Sequence, residues 1–281
     1  MIRRVGAKAS GAAIRYLMND DPLLNAFAIY RLQNHSKNSW LYLCETRGSP
    51  RGYLSILPSA GADDVWVTGE SKHAITELLT TLQRLRLTGR HWRAKRLYVN
   101  SDPRYETAIS ESLSKGLTKL QDVMIARKEE ELLRANSTTS HVVQLGPNDA
   151  TMYAKFVLPK DWKLSQQIID TNRELLRKGH AFAILDKQGR IASTANVVVA
   201  LPHVWVISSV ETRIDSRRRG FGTAVVKTVL ERAFMHGSPV MLYVDHENHT
   251  AVEFYRGLGF RRISSSICTE IGDFGKSVCI S

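Results

Sequence analysis

The residues with the most chemical content lie in one run, Val210-Glu211-Thr212-Arg213-Ile214-Asp215-Ser216-Arg217-Arg218-Arg219-Gly220-Phe221-Gly222-Thr223-Ala224. A strand-like stretch ends, a glycine loop follows, and an amphipathic helix begins. Such a turn aims backbone N–H groups and the positive end of a helix dipole at one point. Gly220 and Gly222 allow close backbone approach and, where needed, a positive φ. Arg217, Arg218 and Arg219 add cationic side chains. Together these groups suit an anion such as phosphate or pyrophosphate. A Walker loop would end in Gly-Lys-Ser/Thr, which is absent. A dinucleotide fingerprint needs G-x-G-x-x-G, and only Gly220-Phe221-Gly222 is present, with Ala224 beyond it. A lone Gly-x-Gly usually just caps a helix; the arginine triplet and the preceding strand weigh against that reading here.

The elements that must position this loop can be read from periodicity and turn residues. His141–Leu145 is a short apolar run before a Gly-Pro-Asn-Asp turn that offers a helix N-cap. Helical spacing covers Ala150–Leu158 and Leu164–Arg177, the latter stopping at Lys178-Gly179. Ala181–Asp186 and Ile191–Ala200 flank Lys187-Gln188-Gly189 as a hairpin, and Val204–Thr212 is a third strand. Ala224, Val225, Val229 and Ala233 form an apolar stripe on a helix over Gly222–Met235. Val240–Val244 is a strand, Thr250–Gly257 a helix and Arg262–Ile271 a last strand, giving a mixed α/β layer. The first half runs through a similar order. Its hairpin is Trp40–Glu45 with Gly52–Leu57. Val65-Trp66-Val67 echoes Val204-Trp205-Val206, Leu97-Tyr98-Val99-Asn100 echoes Leu242-Tyr243-Val244-Asp245, and Lys115-Gly116-Leu117 echoes Leu258-Gly259-Phe260. The offsets are 139, 145 and 143 residues, as a duplicated domain requires. The expected boundary is the linker-like Arg134–Thr139, dividing domains 1–134 and 135–281.

Arg217-x-x-Gly220-x-Gly222 resembles the Arg/Gln-x-x-Gly-x-Gly/Ala acyl-CoA loop of the GNAT acyltransferase superfamily. Asn248-His249-Thr250-Ala251-Val252-Glu253-Phe254-Tyr255-Arg256-Gly257-Leu258-Gly259-Phe260 is similar to that family's N-x-x-A-x-x-F-Y-x-x-x-G-F element. Pro239–Asp245 is similar to the glycine N-acyltransferase-like branch. The resemblance covers about residues 141–271 and is fainter in the first half. There the counterpart loop, Thr68-Gly69-Glu70-Ser71-Lys72-His73, lacks the arginines and the second glycine. The fold implied is α/β, two tandem GNAT-like domains, each a mixed, mostly antiparallel twisted sheet flanked by helices. The first domain is expected to be degenerate and without a CoA loop, the second to be the acyltransferase.

The resemblance also implies roles. Cofactor contacts fall on Ser209, Val210, Thr212, Arg217, Arg218, Arg219, Gly220, Phe221, Gly222, Thr223, Asn248 and Tyr255. The amides around Arg218–Thr223 would cradle the pyrophosphate, and the backbone N–H of Val210 would face the thioester oxygen. Tyr255 is the candidate general acid for the departing thiolate, because a phenol of pKa ~10 can protonate a thiolate of pKa ~8.5. A plain core aromatic is the alternative for Tyr255, and a pure helix cap the alternative for Asn248. An alkylamine of pKa ~10.4 must lose a proton before attack. Many family members place a glutamate early in the strand before the loop, but here His203-Val204-Trp205-Val206-Ile207-Ser208-Ser209 has no carboxylate. Glu211 is the nearest candidate base, His203 titrates in a useful range, and Ser208 or Ser209 could relay a water. Solvated strand-end roles for Glu211 and His203 stand beside these. Asp161 and Trp162 are expected on the acceptor side.

Composition bounds the rest. The 281 residues suggest two domains and carry ordinary globular proportions, 43% hydrophobic and 23% charged. No apolar run reaches membrane-spanning length, and the basic Met1–Ala7 is not followed by the apolar core of a signal peptide. Cys44, Cys268 and Cys279 form no CxxC pair, so a reducing, cytoplasmic setting and no metal site are expected. The formal charge is +12, spread as +7 over residues 1–134 and +5 over 135–281. The reading is a CoA-dependent N-acyltransferase moving acetyl from acetyl-CoA to a primary amine by direct attack in a ternary complex, with no metal. The amine stays unidentified; charge left over after the arginine triplet points to an acidic acceptor or partner. The competing class is a non-catalytic acyl-CoA sensor or nucleic-acid-binding module, although no helix-turn-helix, zinc or RNA-recognition signature supports nucleic acid. A monomer or homodimer without membrane attachment is expected.

Overall fold

The computed structural model describes residues 1–5, 10–34, 39–57, 62–87, 96–113, 116–128, 141–158 and 162–272. The linker expected at 134–139, Asp161 and Cys279 lie outside the described residues. The chain forms two compact units. One holds residues 1–121 with the C-terminal stretch from Ser265; the other holds Asp122–Ser264. Among the described residues no helix is long and apolar enough to cross a membrane.

The first unit contains β1 (Ile2–Arg4), α1 (Ser10–Asp20), α2 (Ala26–Asn34), β2 (Trp40–Thr46), β3 (Ser49–Leu57), β4 (Ala62–Gly69), α3 (Lys72–Leu87), β5 (Arg96–Ser101), α4 (Glu106–Leu113) and the start of β6 (Leu117–Ala126). Strands β1 to β4 are antiparallel neighbours, and β4 and β5 run parallel. The far edge of β5 is taken by the end of β12 (Arg261–Ile271), antiparallel from Ile267↔Ser101 to Ile271↔Leu97. Leu78, Leu79 and Leu82 of α3 pack on Leu54, Val65, Val67 and Val99 of this sheet.

The second unit takes β6 from Asp122 onward, then β7 (Val143–Gln144), α5 (Ala150–Val157), α6 (Gln166–Arg177), β8 (Ala181–Leu185), β9 (Ile191–Leu201), β10 (Val204–Thr212), α7 (Phe221–Met235), β11 (Val240–Asp245), α8 (His249–Gly257) and the start of β12. Its sheet runs β6-β11-β10-β9-β8-β7. The β10–β11 pair is parallel; the pairs from β7 to β10 are antiparallel. Side-chain alternation along β8 sends Phe182 and Ile184 toward α7, and Ala181 and Ala183 toward α5 and α6. The stripe expected on α7 is buried as Ala224, Val225, Val229 and Ala233, joined by Val226 and Leu230. Each fully buried valine there contributes about 1.5–3 kcal/mol. Gly179 (φ +73°) ends α6, its N–H bonding to Leu176 O, and Gly189 (φ +74°) turns the β8–β9 hairpin. The order hairpin, third strand, helix, parallel strand, helix, strand occurs in each half of the chain. What the sequence does not reveal is that β6 and β12 each divide between units, so neither unit is a continuous half.

Candidate functional site

Strands β10 and β11 are in register at only two positions, Trp205↔Val240 and Val206↔Met241. Both continue well past that point, so they diverge toward their C-terminal ends. On its other edge β10 pairs with β9 through Ser208↔Asn196 and resumes at Glu211↔Thr194. Ser209 and Val210 therefore oppose Ala195 alone, which is a β-bulge. Ser209 takes a left-handed φ of +52°, a costly conformation for a residue with a Cβ. A partner holds it there: the buried Tyr153 of α5 hydrogen-bonds to the Ser209 side chain. Burial pushes the Tyr153 phenol up to about 12, the Ser209 bond working against that shift and the charge of Glu211 adding to it. The bulge thus turns the backbone at Val210 out of the regular ladder, beside the gap left by β11.

The loop after β10 is built on the same logic. A 3-10 turn over Ile214–Ser216 leads to an extended Arg217, a left-handed Arg218 (φ +60°) and a left-handed Gly220 (φ +78°). Gly220 is the N-cap of α7 and supplies no side-chain cap. The amides of Phe221, Gly222 and Thr223 open the helix without intrahelical acceptors and share the positive end of its dipole. A Cβ on Gly222 would stand 3.2 Å from Thr212 Oγ1 and 3.5 Å from Phe254 Cζ. Gly222 is therefore small because the helix start packs on α8 and on the end of β10. Gly220 is a glycine because of its φ.

A latch fixes the entrance of the loop. Arg213 donates to Asp186 Oδ2 at 2.9 Å, to Asp215 Oδ1 at 2.6 Å and to Ser216 Oγ at 3.4 Å. Asp186 also accepts from Arg190 Nε and from the N–H groups of Gln188 and Arg190, each at 2.9 Å. Burial alone would raise the Asp186 carboxyl; these hydrogen bonds outweigh it and hold the group well below the usual carboxylate range. Thr212 Oγ1 lies 2.9 Å from Ser193 Oγ, tying the end of β10 to β9. The arginine triplet is exposed. Arg217 Nε donates to Thr212 O at 3.2 Å, and the Arg219 guanidinium lies 4.7 Å from the Phe221 ring centroid.

The expected site residues divide accordingly. Ser208, Ser209, Val210 and Thr212 lie along the diverging end of β10, and Arg217, Arg218, Arg219, Gly220, Phe221, Gly222 and Thr223 form the loop and helix start. Asn248 caps α8, its side chain accepting from Ala251 N–H at 3.2 Å. Tyr255 is 9% exposed, edge-on to Phe260 at 5.6 Å between centroids, and burial raises its phenol above the ordinary value. It stays protonated through neutral pH. Glu211 is exposed near the end of β10, and its charge reaches Tyr153. His203 stands before the first residue of β10, roughly 30 Å from Thr212 at the rise of a strand, and is not brought to the loop. Trp162 is half-buried after α5. Tyr153 and the Arg213–Asp186 latch escaped the sequence reading. The signal for Tyr153 was a tyrosine on the apolar face of α5, because a buried phenol needs a polar partner. The groups present fit a diphosphate-bearing ligand: free helix-start amides, two left-handed loop residues and unengaged guanidinium nitrogens.

Residues 150–260 match the model of the acetyltransferase (GNAT) family. No curated protein sequence matches the chain significantly. Among solved structures, a Drosophila protein superposes with a TM-score of 0.73 at 12% identity, over 96% of this chain and 98% of its own. A tandem GNAT protein from the clavulanic acid biosynthesis pathway gives 0.66 at 13% identity, over 99% of both chains. A GCN5-related N-acetyltransferase from Sphaerobacter thermophilus gives 0.66 at 15% identity, over 97% of this chain and 95% of its own. At these identities the likeness is one of fold. Residues 150–260 thus match the GNAT acetyltransferase family, and the chain shares its fold with a tandem GNAT protein.

Proposed function

We propose that the protein is a CoA-dependent N-acyltransferase that moves an acetyl group from acetyl-CoA to a primary amine by direct attack in a ternary complex. The observation that carries this reading is the parting of β10 from β11 beside a bulged Val210, leading into a left-handed loop and an uncapped helix start. Bound acetyl-CoA would supply an activated thioester. The chain's own groups then have separable tasks. Amides at the start of α7, with Arg217, Arg218 and Arg219, hold the pyrophosphate. The Val210 N–H faces the thioester oxygen and stabilises its growing charge. Tyr255 returns a proton to the departing sulfur. With its pKa raised by burial, that transfer to a thiolate is uphill and depends on close positioning. Glu211, or a water held by Ser208, receives a proton from the acceptor. The surplus positive charge favours an acidic amine.

Mass spectrometry of the purified protein for co-bound CoA species tests the first half of the reading. Release of CoA thiol with a panel of glycine, glutamate, spermidine and a lysine peptide tests the second. A double Arg217→Ala, Gly220→Asp variant should lose acetyl-CoA binding. Unchanged binding in that variant would remove the site assignment.

A further inference from the structure

Asp122 is the first residue of the second unit's share of β6, and its side chain is only 3% exposed. Two nitrogen-bearing side chains reach the same carboxylate oxygen. His246 Nδ1 lies 3.0 Å from Oδ1, and so does Arg262 Nε. The His246 side chain is 44% exposed, so the ring is held from behind by a buried acid and is open in front. His246 directly follows Asp245, the last residue of β11, at the end where β11 has left β10. It stands two residues before Asn248, the cap of α8. On β10 the groups offered to the amine are the exposed Glu211 and the hydroxyl of Ser208.

We infer that His246, in place of Glu211 or a water held by Ser208, accepts the proton of the acceptor amine, with Asp122 as its positioning residue; the inference rests on the amine-acyltransferase reading. When Nδ1–H donates to Asp122, the lone pair of Nε2 is left on the outward side of the ring. The carboxylate fixes that tautomer and the orientation of the ring, as an aspartate does behind a catalytic histidine. The balance is simple. The ammonium gives one proton to Nε2, and the freed nitrogen pair forms the N–C bond. The C–S bond breaks with its electrons on sulfur, the second nitrogen proton replaces the one Tyr255 has given to sulfur, and His246 passes its own proton to water. Other charges surround the ring. Arg262 shares the Asp122 oxygen, Asp245 and Glu247 flank His246 in the chain with the Glu247 N–H bonded to Asp245 Oδ1 at 3.0 Å, and His249 opens α8.

The test uses the full chain, acetyl-CoA and the amine the panel selects. His246→Gln keeps a donor for Asp122 and so preserves the buried hydrogen bond. At pH 7 it is expected to lower kcat/KM about a hundredfold, as loss of a general base does, with acetyl-CoA affinity and thermal midpoint unchanged. The deficit should shrink toward pH 9.5, where more of the amine arrives already neutral. Asp122→Asn should lower kcat about tenfold and leave the KM for acetyl-CoA unchanged. Wild-type rate and profile in His246→Gln would overturn the inference while leaving the acyltransferase reading intact, and so would a deficit equal at every pH. Absence of CoA release from the wild-type protein with every amine in the panel would overturn both.

Discussion

The two units repeat one order of elements and part company at their parallel strand pair. In the first unit β4 and β5 stay in register over five positions, from Ala62↔Arg96 to Trp66↔Asn100. In the second, β10 and β11 keep two. Side chains from Asn100 to Tyr105 hold the first pair together. Asn100 Nδ2 donates to Val65 O at 3.2 Å, Ser101 Oγ to Val67 O at 2.8 Å, and Tyr105 OH to Gly69 O at 2.6 Å. They stitch the end of β4 to the end of β5 and to the turn beyond it. The connections differ as well. Only Glu70 and Ser71 separate β4 from α3, with Ser71 Oγ accepting from Ala74 N–H and Glu70 paired to Arg51. The second unit spends residues 213–220 on its left-handed loop and places no acid at the helix start. A gap between parallel strands is thus not a property of the fold. One unit joins the ends of its parallel pair through these side chains, and in the other a bulge turns the backbone outward. The two units share an order of elements, and only the second parts its parallel strands early.

The contrast can be broken in order of expected effect. Gly220→Asp forces a Cβ into φ +78° and sets a carboxylate at the anion site, so acetyl-CoA affinity should fall about a hundredfold by calorimetry. Its first-unit counterpart, Glu70→Ala, should leave affinity within about twofold. An equal loss from both would erase the distinction between units. Tyr255→Phe removes one proton donor and nothing from the anion cradle; turnover should drop at least about tenfold with affinity nearly constant. Tyr105→Phe unpicks one stitch and leaves Gly69 O without its donor, costing about 1–2 kcal/mol in denaturant unfolding and nothing in acetyl-CoA affinity. The smallest effect concerns the Asp186 latch. Its carboxyl is depressed in the folded chain, so its stabilisation is complete above the ordinary value of about 3.9 and fades only as pH falls through the lower folded value. Asp186→Asn should flatten the part of the stability curve below about pH 4 and leave the neutral part shifted but parallel.

Much of this comparison was readable before the structure. Gly220, Gly222 and the arginines identified the loop because few residues serve left-handed turns and anions. The offsets between Trp66 and Trp205 and between Gly116 and Gly259 carried the duplication. Other features leave no local trace. A serine does not advertise φ +52°, so the bulge at Ser209 had no signature. Arg213 and Asp186 are 27 residues apart, and His246 and Asp122 are 124 apart; pairs at such distances are set by tertiary packing. The strands β6 and β12 each follow a helix and a glycine. Period two says which face of a strand is buried, and nothing about which neighbour it joins.

The sharing of those strands has a consequence for how the chain acquires its shape. Ser266 Oγ donates to Ser101 O across 165 residues, and Ile267 to Ile271 cover the edge of β5. Until that segment has been synthesised, β5 has an open row of backbone donors and acceptors. An open row of this kind is a template for pairing with another chain. Contacts so distant in sequence also slow folding, because the intervening loop must close before they form. The first unit, though it begins first, is among the last to be finished. A ribosome-bound chain stopped before residue 265 is therefore expected to be prone to aggregation, and a peptide spanning residues 261–272 supplied in trans should suppress it.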